Sequence, residues 1–76
     1  MNRIRRKSLE QLMAQLEDLK DSLEALKDEE EEYMGNIPEN LHGSERYEIA
    51  ENAVSNMEDA LSSLEDAISS IEYAAE

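Results

Sequence analysis

A heptad repeat constrains this chain more than any other feature of its sequence. Residues 47–74 divide into four consecutive sevens, YEIAENA, VSNMEDA, LSSLEDA and ISSIEYA. Apolar residues fill the first and fourth places of every seven, which are the a and d positions of a coiled coil, while Glu recurs at e and Ala at g. A helix is therefore predicted over residues 44–75 with Ser44 as its N-cap. Its apolar stripe requires a second element to pack against.

A second apolar seam lies earlier in the chain and predicts a helix over residues 8–34. Six leucines recur there at alternating spacings of three and four residues, again as a and d positions: Leu9, Leu12, Leu16, Leu19, Leu23 and Leu26. Tyr33 continues the d series. Ser8 and Gln11 match a capping box at the start, and Gly35 is expected to end the helix in the left-handed conformation.

The chain outside these two helices is short. Residues 1–7 are interpreted as a basic segment before the first helix, whose start is placed between residues 3 and 8. Residues 35–43 form the connection, in which Pro38 can begin a short helical turn. Both Gly and the single Pro of the chain lie in this connection, so the two helices are free of breakers. One all-α domain over residues 1–76 follows.

The two seams are expected to face each other in an antiparallel helical hairpin, because the loop is long enough for such a return. In an antiparallel pair a positions face d positions, and opposing residues have a constant sum of sequence numbers, here 80. This register sets Leu19 against Leu61 and Tyr33 against Tyr47. The predicted seam comprises Leu9, Leu12, Leu16, Leu19, Leu23, Leu26, Tyr33, Tyr47, Val54, Met57, Leu61, Leu64, Ile68 and Ile71.

Charged residues beside the seam favour the same register. Three pairs at e positions bring opposite charges together: Lys27 with Glu51, Lys20 with Glu58 and Arg6 with Glu72. Exposed ion pairs contribute only about 0.2 to 1 kcal/mol each, whereas full burial of a Leu or Ile contributes roughly 1.5 to 3 kcal/mol. The apolar seam is therefore expected to supply stability and the ion pairs to select orientation.

The opposite flank of the predicted hairpin is weakly charged. Ser8, Gln15, Ser22 and Glu29 of the first helix lie there beside the Ala stripe of the second helix. A chain of 76 residues has difficulty burying enough apolar surface alone, and a flank of small residues lets another helix approach closely. We therefore expect a homodimer that forms a four-helix bundle.

The composition of the chain restricts the cellular compartment and the classes of binding partner that we expect for it. The chain has 20 Asp and Glu against 7 Lys and Arg, a net charge of −13, which opposes direct binding of nucleic acid or anionic lipid. The absence of Cys argues against a small secreted disulfide scaffold, and no apolar stretch suits a signal peptide or a bilayer span. We expect a cytoplasmic protein without membrane contact, and a basic protein is its natural complement.

No residue pattern in the chain indicates catalysis. A two-helix rod offers no obvious concave pocket, and His42, the only imidazole, lies in the loop without a Cys or second His for a metal. No catalytic, cofactor-binding or metal site is predicted.

The loop end is the region where contacts with a partner are expected. Within the chain, the Glu30 side chain is expected to reach Arg46. Partner binding is expected around the acidic run and the loop, at Asp28, Glu29, Glu31, Glu32, Leu41 and Arg46.

Charge also suggests a hypothesis of nucleic-acid mimicry. A rod of two helices of about 30 residues is roughly 45 Å long at about 1.5 Å per residue. It would carry one carboxylate per roughly 2.2 Å, against one phosphate charge per about 1.7 Å of duplex.

The chain has one basic cluster, which comprises Arg3, Arg5, Arg6 and Lys7. These residues are expected to pair with Glu72 and Glu76.

The loop carries a motif with a family resemblance. An acidic run with a Tyr, then P-E-N-L-x-G-S-E-R-Y-E, then Ala- and Glu-rich heptads follow one another, here at Tyr33, Pro38 to Leu41 and Gly43 to Glu48. From the acidic run onward, the chain resembles a group of short acidic proteins of Firmicute-type bacteria and their phages or mobile elements. The resemblance implies a small helical protein and assigns it no activity.

Three functional hypotheses follow. The first is a non-enzymatic interaction module of bacterial or phage origin that binds another protein through its acidic face or its loop end. The second is a phage or mobile-element inhibitor that occupies the nucleic-acid site of a basic host protein. The third is a purely self-associating structural protein. Ionic strength separates the first two, because only a charge mimic loses its target steeply as salt rises.

Overall fold

The chain forms a two-helix hairpin in the computed structural model, which describes all of residues 1–76. Helix α1 spans Arg3–Gly35, a 3₁₀ turn follows at Glu39–Leu41, and helix α2 spans Glu45–Ala74. The helices lie side by side in a rod of 59 × 15 × 12 Å. The predicted all-α helical hairpin is therefore confirmed, and no strand is present.

Helix α1 begins earlier than the capping-box pattern predicts. Asn2 is its N-cap, and the Asn2 side-chain oxygen accepts a hydrogen bond from the backbone N–H of Arg5 at 2.8 Å. Ser8 instead lies inside the helix, where its hydroxyl donates to the carbonyl of Ile4 at 3.1 Å. The capping box at Ser8 and Gln11 is wrong, because Asn2 already satisfies a free N–H of the first turn. The basic residues 3–7 are thus part of the helix.

Helix α1 also ends differently from the expectation. No glycine has a positive φ, so Gly35 does not adopt the left-handed conformation. The helix instead continues right-handed into Asn36, whose N–H donates to the carbonyls of Glu32 at 3.1 Å and Tyr33 at 3.2 Å. Ile37 closes the following turn by donating to Met34 at 3.2 Å. These right-handed turns satisfy the last carbonyls without a left-handed residue.

Helix α2 begins where the sequence predicts. The hydroxyl of Ser44 accepts a hydrogen bond from the backbone N–H of Tyr47 at 3.3 Å, and Glu45 and Glu48 stand in the first turn, where the helix dipole favours negative charge. Pro38 precedes the 3₁₀ turn as its N-cap. The loop therefore enters α2 through the predicted N-cap.

We expect replacement of Ser44 by Ala to lower stability by about 1 kcal/mol, since an N-cap hydroxyl is lost. The melting temperature, followed by circular dichroism, should fall by roughly 4 to 8 °C for a domain of this size. Ser55→Ala is the matched control, because Ser55 is exposed in the interior of α2 and Ala favours helix there. An equal fall in both variants would contradict the capping role.

Helix α1 turns a different face toward α2 than the leucine seam predicts. Leu12, Leu19 and Leu26 are 48%, 61% and 55% exposed, and Tyr33 is 41% exposed. The structure places these d-position residues on the surface of the hairpin. The half-buried residues of α1 are Leu9, Met13, Leu16, Lys20, Leu23, Lys27, Glu30, Glu31 and Met34. The inner face of α1 thus consists mainly of its a and e positions.

Helix α2 presents its a and d positions to α1. Ala50 and Val54 are buried at 1% and 7% exposure. The half-buried members of the same stripe are Tyr47, Met57, Leu61, Leu64, Ile68, Ile71 and Ala75. One helix therefore uses the predicted seam, while its partner is rotated about its axis.

The two inner faces match in a register that differs from the predicted one. Buried and half-buried residues of α1 and α2 coincide when their sequence numbers sum to 84, which levels Leu23 with Leu61 and Met13 with Ile71. The ion pair between Lys20 and Glu65 agrees with this alignment. Relative to the predicted sum of 80, one helix has slid along the other by about one turn.

Burial of the loop gives a physical reason for the slide. Ile37, which lies beyond the end of α1, is only 4% exposed and comes level with Tyr47 in this register. The half-buried Lys20 and Lys27 run their aliphatic stems along the inner face and keep their ammonium groups at the surface. The hairpin thus buries a loop isoleucine and half-buries Met13 and Met34, while three leucines of α1 remain outside.

Candidate protein-interaction site

The loop end of the hairpin is an ordered cluster. The His42 ring stacks on the Tyr47 ring with centroids 4.2 Å apart and planes 20° from parallel. The Nε2 atom of His42 lies 3.2 Å from the carbonyl oxygen of Ile37. His42 therefore connects the buried loop residue to the first turn of α2 and has a structural position. Leu41, the other apolar loop residue, remains 45% exposed.

Arg46 joins the two helices at the same end. Its Nε donates a hydrogen bond to the Tyr33 hydroxyl at 2.6 Å, and its guanidinium carbon lies 5.3 Å from the Tyr33 ring centroid. The expected contact of Arg46 with Glu30 is replaced by this one. A planar guanidinium can donate to the phenol oxygen while it lies over the ring, so Arg46 contacts Tyr33 in two ways.

An open depression of about 520 Å³ lies beside this contact. Its apolar side is formed by Ile49, which is 61% exposed, and by the buried Ala50. Its lining residues are Glu30, Tyr33, Glu45, Arg46, Ile49 and Ala50. Neither carboxylate in this set has an ion-pair partner within the hairpin. The depression therefore combines two carboxylates and one guanidinium, a net negative charge, with an exposed aliphatic side chain.

Sequence reasoning named Arg46 in this region but missed Glu45 and Ile49. Ile49 occupies a c position of the heptad, outside the a and d seam. Its only signal is an isoleucine at a heptad position that faces solvent, and single exposed apolar residues are common on protein surfaces. Glu45 gives no separate signal, since an acidic residue in the first turn of a helix is already explained by the helix dipole.

The ion pairs differ from those that the predicted register required. Lys20 pairs with Glu65 at 3.6 Å rather than with Glu58. Lys27 pairs with Glu31 at 3.3 Å and with Asp28 at 3.9 Å rather than with Glu51. Arg6 and Glu72 form no ion pair in the hairpin. The slide by one turn is the physical cause, since it moves each predicted acidic partner away from its cation.

Lys27 also compensates part of the acidic run. Its pKa is raised above the ordinary value, first by the hydrogen bond to Glu31 and also by the charges of Glu31, Asp28 and Glu58, while partial burial acts in the opposite direction. Glu29 and Glu32 are exposed and have no ion-pair partner. The acidic run thus divides into Asp28 and Glu31, which pair with Lys27, and three glutamates without an ion-pair partner.

The structure contains no cluster of side chains suited to a metal ion and no helix suited to span a membrane. No group of three or more His, Asp and Glu side chains is arranged to hold a metal ion. Neither helix has a segment that is long and apolar enough to cross a bilayer.

Comparison with protein-family models, with curated proteins and with solved structures finds no match to this chain. The resemblance to short acidic proteins of Firmicute-type bacteria and phages therefore stays a prediction. Any functional assignment depends on the geometry of the hairpin itself.

Proposed function

We propose that this chain is a non-enzymatic protein–protein interaction module of bacterial or phage origin, cytoplasmic and homodimeric, whose loop end binds a basic segment of another protein. The observation that carries the proposal is the depression beside Arg46, where Glu30 and Glu45 have no partner and Ile49 is exposed. The partner is a protein with a Lys or Arg side chain at its contact surface.

The chemistry of the depression fits such a side chain. A Lys or Arg has an aliphatic stem that can pack on Ile49 and a cationic head that can reach the free carboxylates of Glu30 and Glu45. Each such ion pair is worth about 0.2 to 1 kcal/mol while it stays exposed to solvent, and more where the partner excludes water from it. The net charge of −13 also attracts a basic partner over a longer range.

Preorganisation supports the same proposal. The depression is built between α1 and α2, and the contacts of Arg46 with Tyr33 and of His42 with Tyr47 hold the loop end in one arrangement. A surface that is ordered before binding loses less conformational entropy on association.

A pull-down from a bacterial lysate tests the proposal. The immobilised wild type is compared with a variant that carries Glu30→Gln and Glu45→Gln, and with a control that carries Asp59→Asn and Asp66→Asn on the exposed outer face of α2. Both variants remove the same charge. We expect the depression variant to bind the captured basic protein about tenfold more weakly or worse, which corresponds to about 1.4 kcal/mol, while the control binds like the wild type. Equal binding by both variants would contradict a role for the depression.

Nucleic-acid mimicry is the alternative, and the acidic surface favours it. Twenty Asp and Glu lie along a rod of 59 Å, about one per 3 Å, against one phosphate charge per about 1.7 Å of duplex. The rod is longer than the 45 Å expected from sequence, so its charge density is lower. A mimic would lose its target at high salt and would be weakened equally by both variants, because every carboxylate then contributes alike.

A purely self-associating structural role is the third possibility. Recovery of no partner at either salt concentration, together with a defined oligomer mass by light scattering, would favour it over both binding hypotheses.

A further inference from the structure

One flank of the hairpin carries the apolar side chains that α1 does not direct to α2. Leu12, Leu19 and Leu26 form a line with one residue per heptad, and each has about half of its side chain exposed. The g positions beside this line are Ser8, Gln15, Ser22 and Glu29, so the line has no charged g neighbour before Glu29. In a chain with 36% charged residues, a face of this length without charge is a strong departure from the rest of the surface.

The Ala stripe of α2 lies on the same flank. Antiparallel helices set g positions beside g positions and e positions beside e positions, and the ion pair of Lys20 with Glu65 joins two e positions on the opposite flank. The alanines at g are Ala53, Ala60, Ala67 and Ala74. The midpoint of the Ala stripe lies close to Glu65, and the midpoint of the leucine line is Leu19. Because Lys20, the neighbour of Leu19, pairs with Glu65, the two midpoints lie at the same level along the rod. Leucines and alanines thus form one face centred on one point.

Charge is separated along α1 in the direction opposite to the preference of a helix. The first turns carry Arg3, Arg5, Arg6 and Lys7, and the last turns carry the acidic run 28–32. Helix dipoles favour acidic residues at the start and basic residues at the end, so both clusters are unfavourable in an isolated helix. None of the four cations forms an ion pair within the hairpin. Compensation from outside the chain would remove this cost.

We infer that the flank formed by Leu12, Leu19, Leu26 and the Ala stripe binds a second copy of this chain, with the two α1 helices antiparallel about a twofold axis near Leu19. This arrangement sets the basic start of each α1 beside the acidic end of the other. The hairpins then form a four-helix bundle, with α2 beside α2 through the small Ala side chains. The inference deepens the homodimeric part of the proposed function and needs no heterologous partner.

Charge complementarity selects this arrangement over its alternative. A parallel pair of α1 helices would place the basic clusters together and the acidic runs together, and like charges repel. The antiparallel pair instead brings Arg5, a d position in line with the three leucines, to the region of Glu29 and Glu32 of the second copy. These three residues are exposed and have no ion pair in the hairpin.

Burial agrees with a second copy as the occupant. Only three residues of the chain are buried, namely Ile37, Ala50 and Val54, and no large side chain is fully buried. A hairpin of this kind has little core of its own. A second hairpin on this flank would cover the three exposed leucines and add the apolar burial that one hairpin lacks.

A charge exchange between two variants tests the inference. One variant carries Arg5→Glu, and the other carries Glu29→Lys and Glu32→Lys. Neither set removes an ion pair from the hairpin. Both stay acidic, because the first changes the net charge of −13 by two units and the second by four. Nonspecific attraction between the two variants is therefore absent.

The association of each chain is measured by sedimentation equilibrium and by native mass spectrometry. We expect a wild-type dimer, at least a tenfold weaker dimer for each variant alone, and recovery of a one-to-one heterodimer on mixing, since only the mixture has opposite charges at both ends. Leu19→Asp should dissociate the dimer in every combination. Dimers of each variant that equal the wild type, or a mixture that stays unpaired, would overturn the antiparallel arrangement.

The outcomes separate this inference from the proposed binding function. A wild-type chain that remains monomeric at high concentration overturns the second copy as the occupant, while capture of a basic protein that depends on Glu30 and Glu45 can still succeed. A dimer that obeys the charge exchange supports the inference even when no partner is captured.

Discussion

Replacing Val54 with Asp is expected to unfold the hairpin. Val54 is 7% exposed on the inner face of α2, and the register sets it level with Glu30. The variant would place an unpaired carboxylate in this buried layer near a second carboxylate. The expected cost exceeds about 3 kcal/mol, whereas the core of a chain this small supplies only about 3 to 5 kcal/mol in total. Loss of the helical circular dichroism signal at 25 °C would be the result.

The control for this prediction is the neighbouring residue. Ser55→Asp adds the same charge one position further along α2, at an exposed site. It should lower the melting temperature only slightly, since surface substitutions usually change stability by about 0.5 kcal/mol or less. A Val54→Asp chain that melts cooperatively near the wild-type temperature would contradict the burial of this layer.

A comparison of Leu61→Asp with Leu19→Asp is expected to distinguish the observed helix register from the predicted one. Leu61 lies half-buried on the inner face of α2, whereas Leu19 is 61% exposed on the outer flank of α1. The predicted register set these two leucines against each other in the middle of the seam, so that Asp at either place would unfold the chain. In the structure only Leu61→Asp buries a charge. We therefore expect Leu61→Asp to lose its helical signal and Leu19→Asp to keep it.

This comparison requires conditions in which association does not contribute. Both variants and the wild type are melted over a concentration series that extends to high dilution, because a dimer adds stability by mass action. At the dilute end, Leu19→Asp should melt within a few degrees of the wild type. Equal unfolding of Leu19→Asp and Leu61→Asp at the dilute end would show that Leu19 packs against α2. That result would contradict the observed orientation of α1.

Much of the fold could be predicted from the sequence because its signals are local. The heptads of α2, the Ser44 cap and the breaker-containing loop depend on residues that are neighbours along the chain, and the structure shows each of them. The end of α1 was predicted less well, since Gly35 permits a left-handed turn without requiring one. Its actual conformation depends on where Ile37 is buried.

The candidate site was only partly predictable for the same reason. Arg46 was recognised as a cation near the acidic run, yet its partner is Tyr33 and not Glu30. The depression requires the side chains of two helices at one level, and that level depends on the register. An error of one turn moves every contact between the helices, although it leaves each helix unchanged.

The sequence by itself determined that this chain is an all-α hairpin, because hydrophobic periodicity, caps and breakers act within a few residues of each other. Only the tertiary structure decided which face of α1 meets α2. Helix α1 can pack on α2 through either of two adjacent faces, which are related by a small rotation about its axis. The contacts that favour one face over the other join residues that are distant in sequence. Burial of Ile37 and the ion pair of Lys20 with Glu65 across the two helices favour the observed face. Leu12, Leu19 and Leu26 therefore remain on the surface of the hairpin.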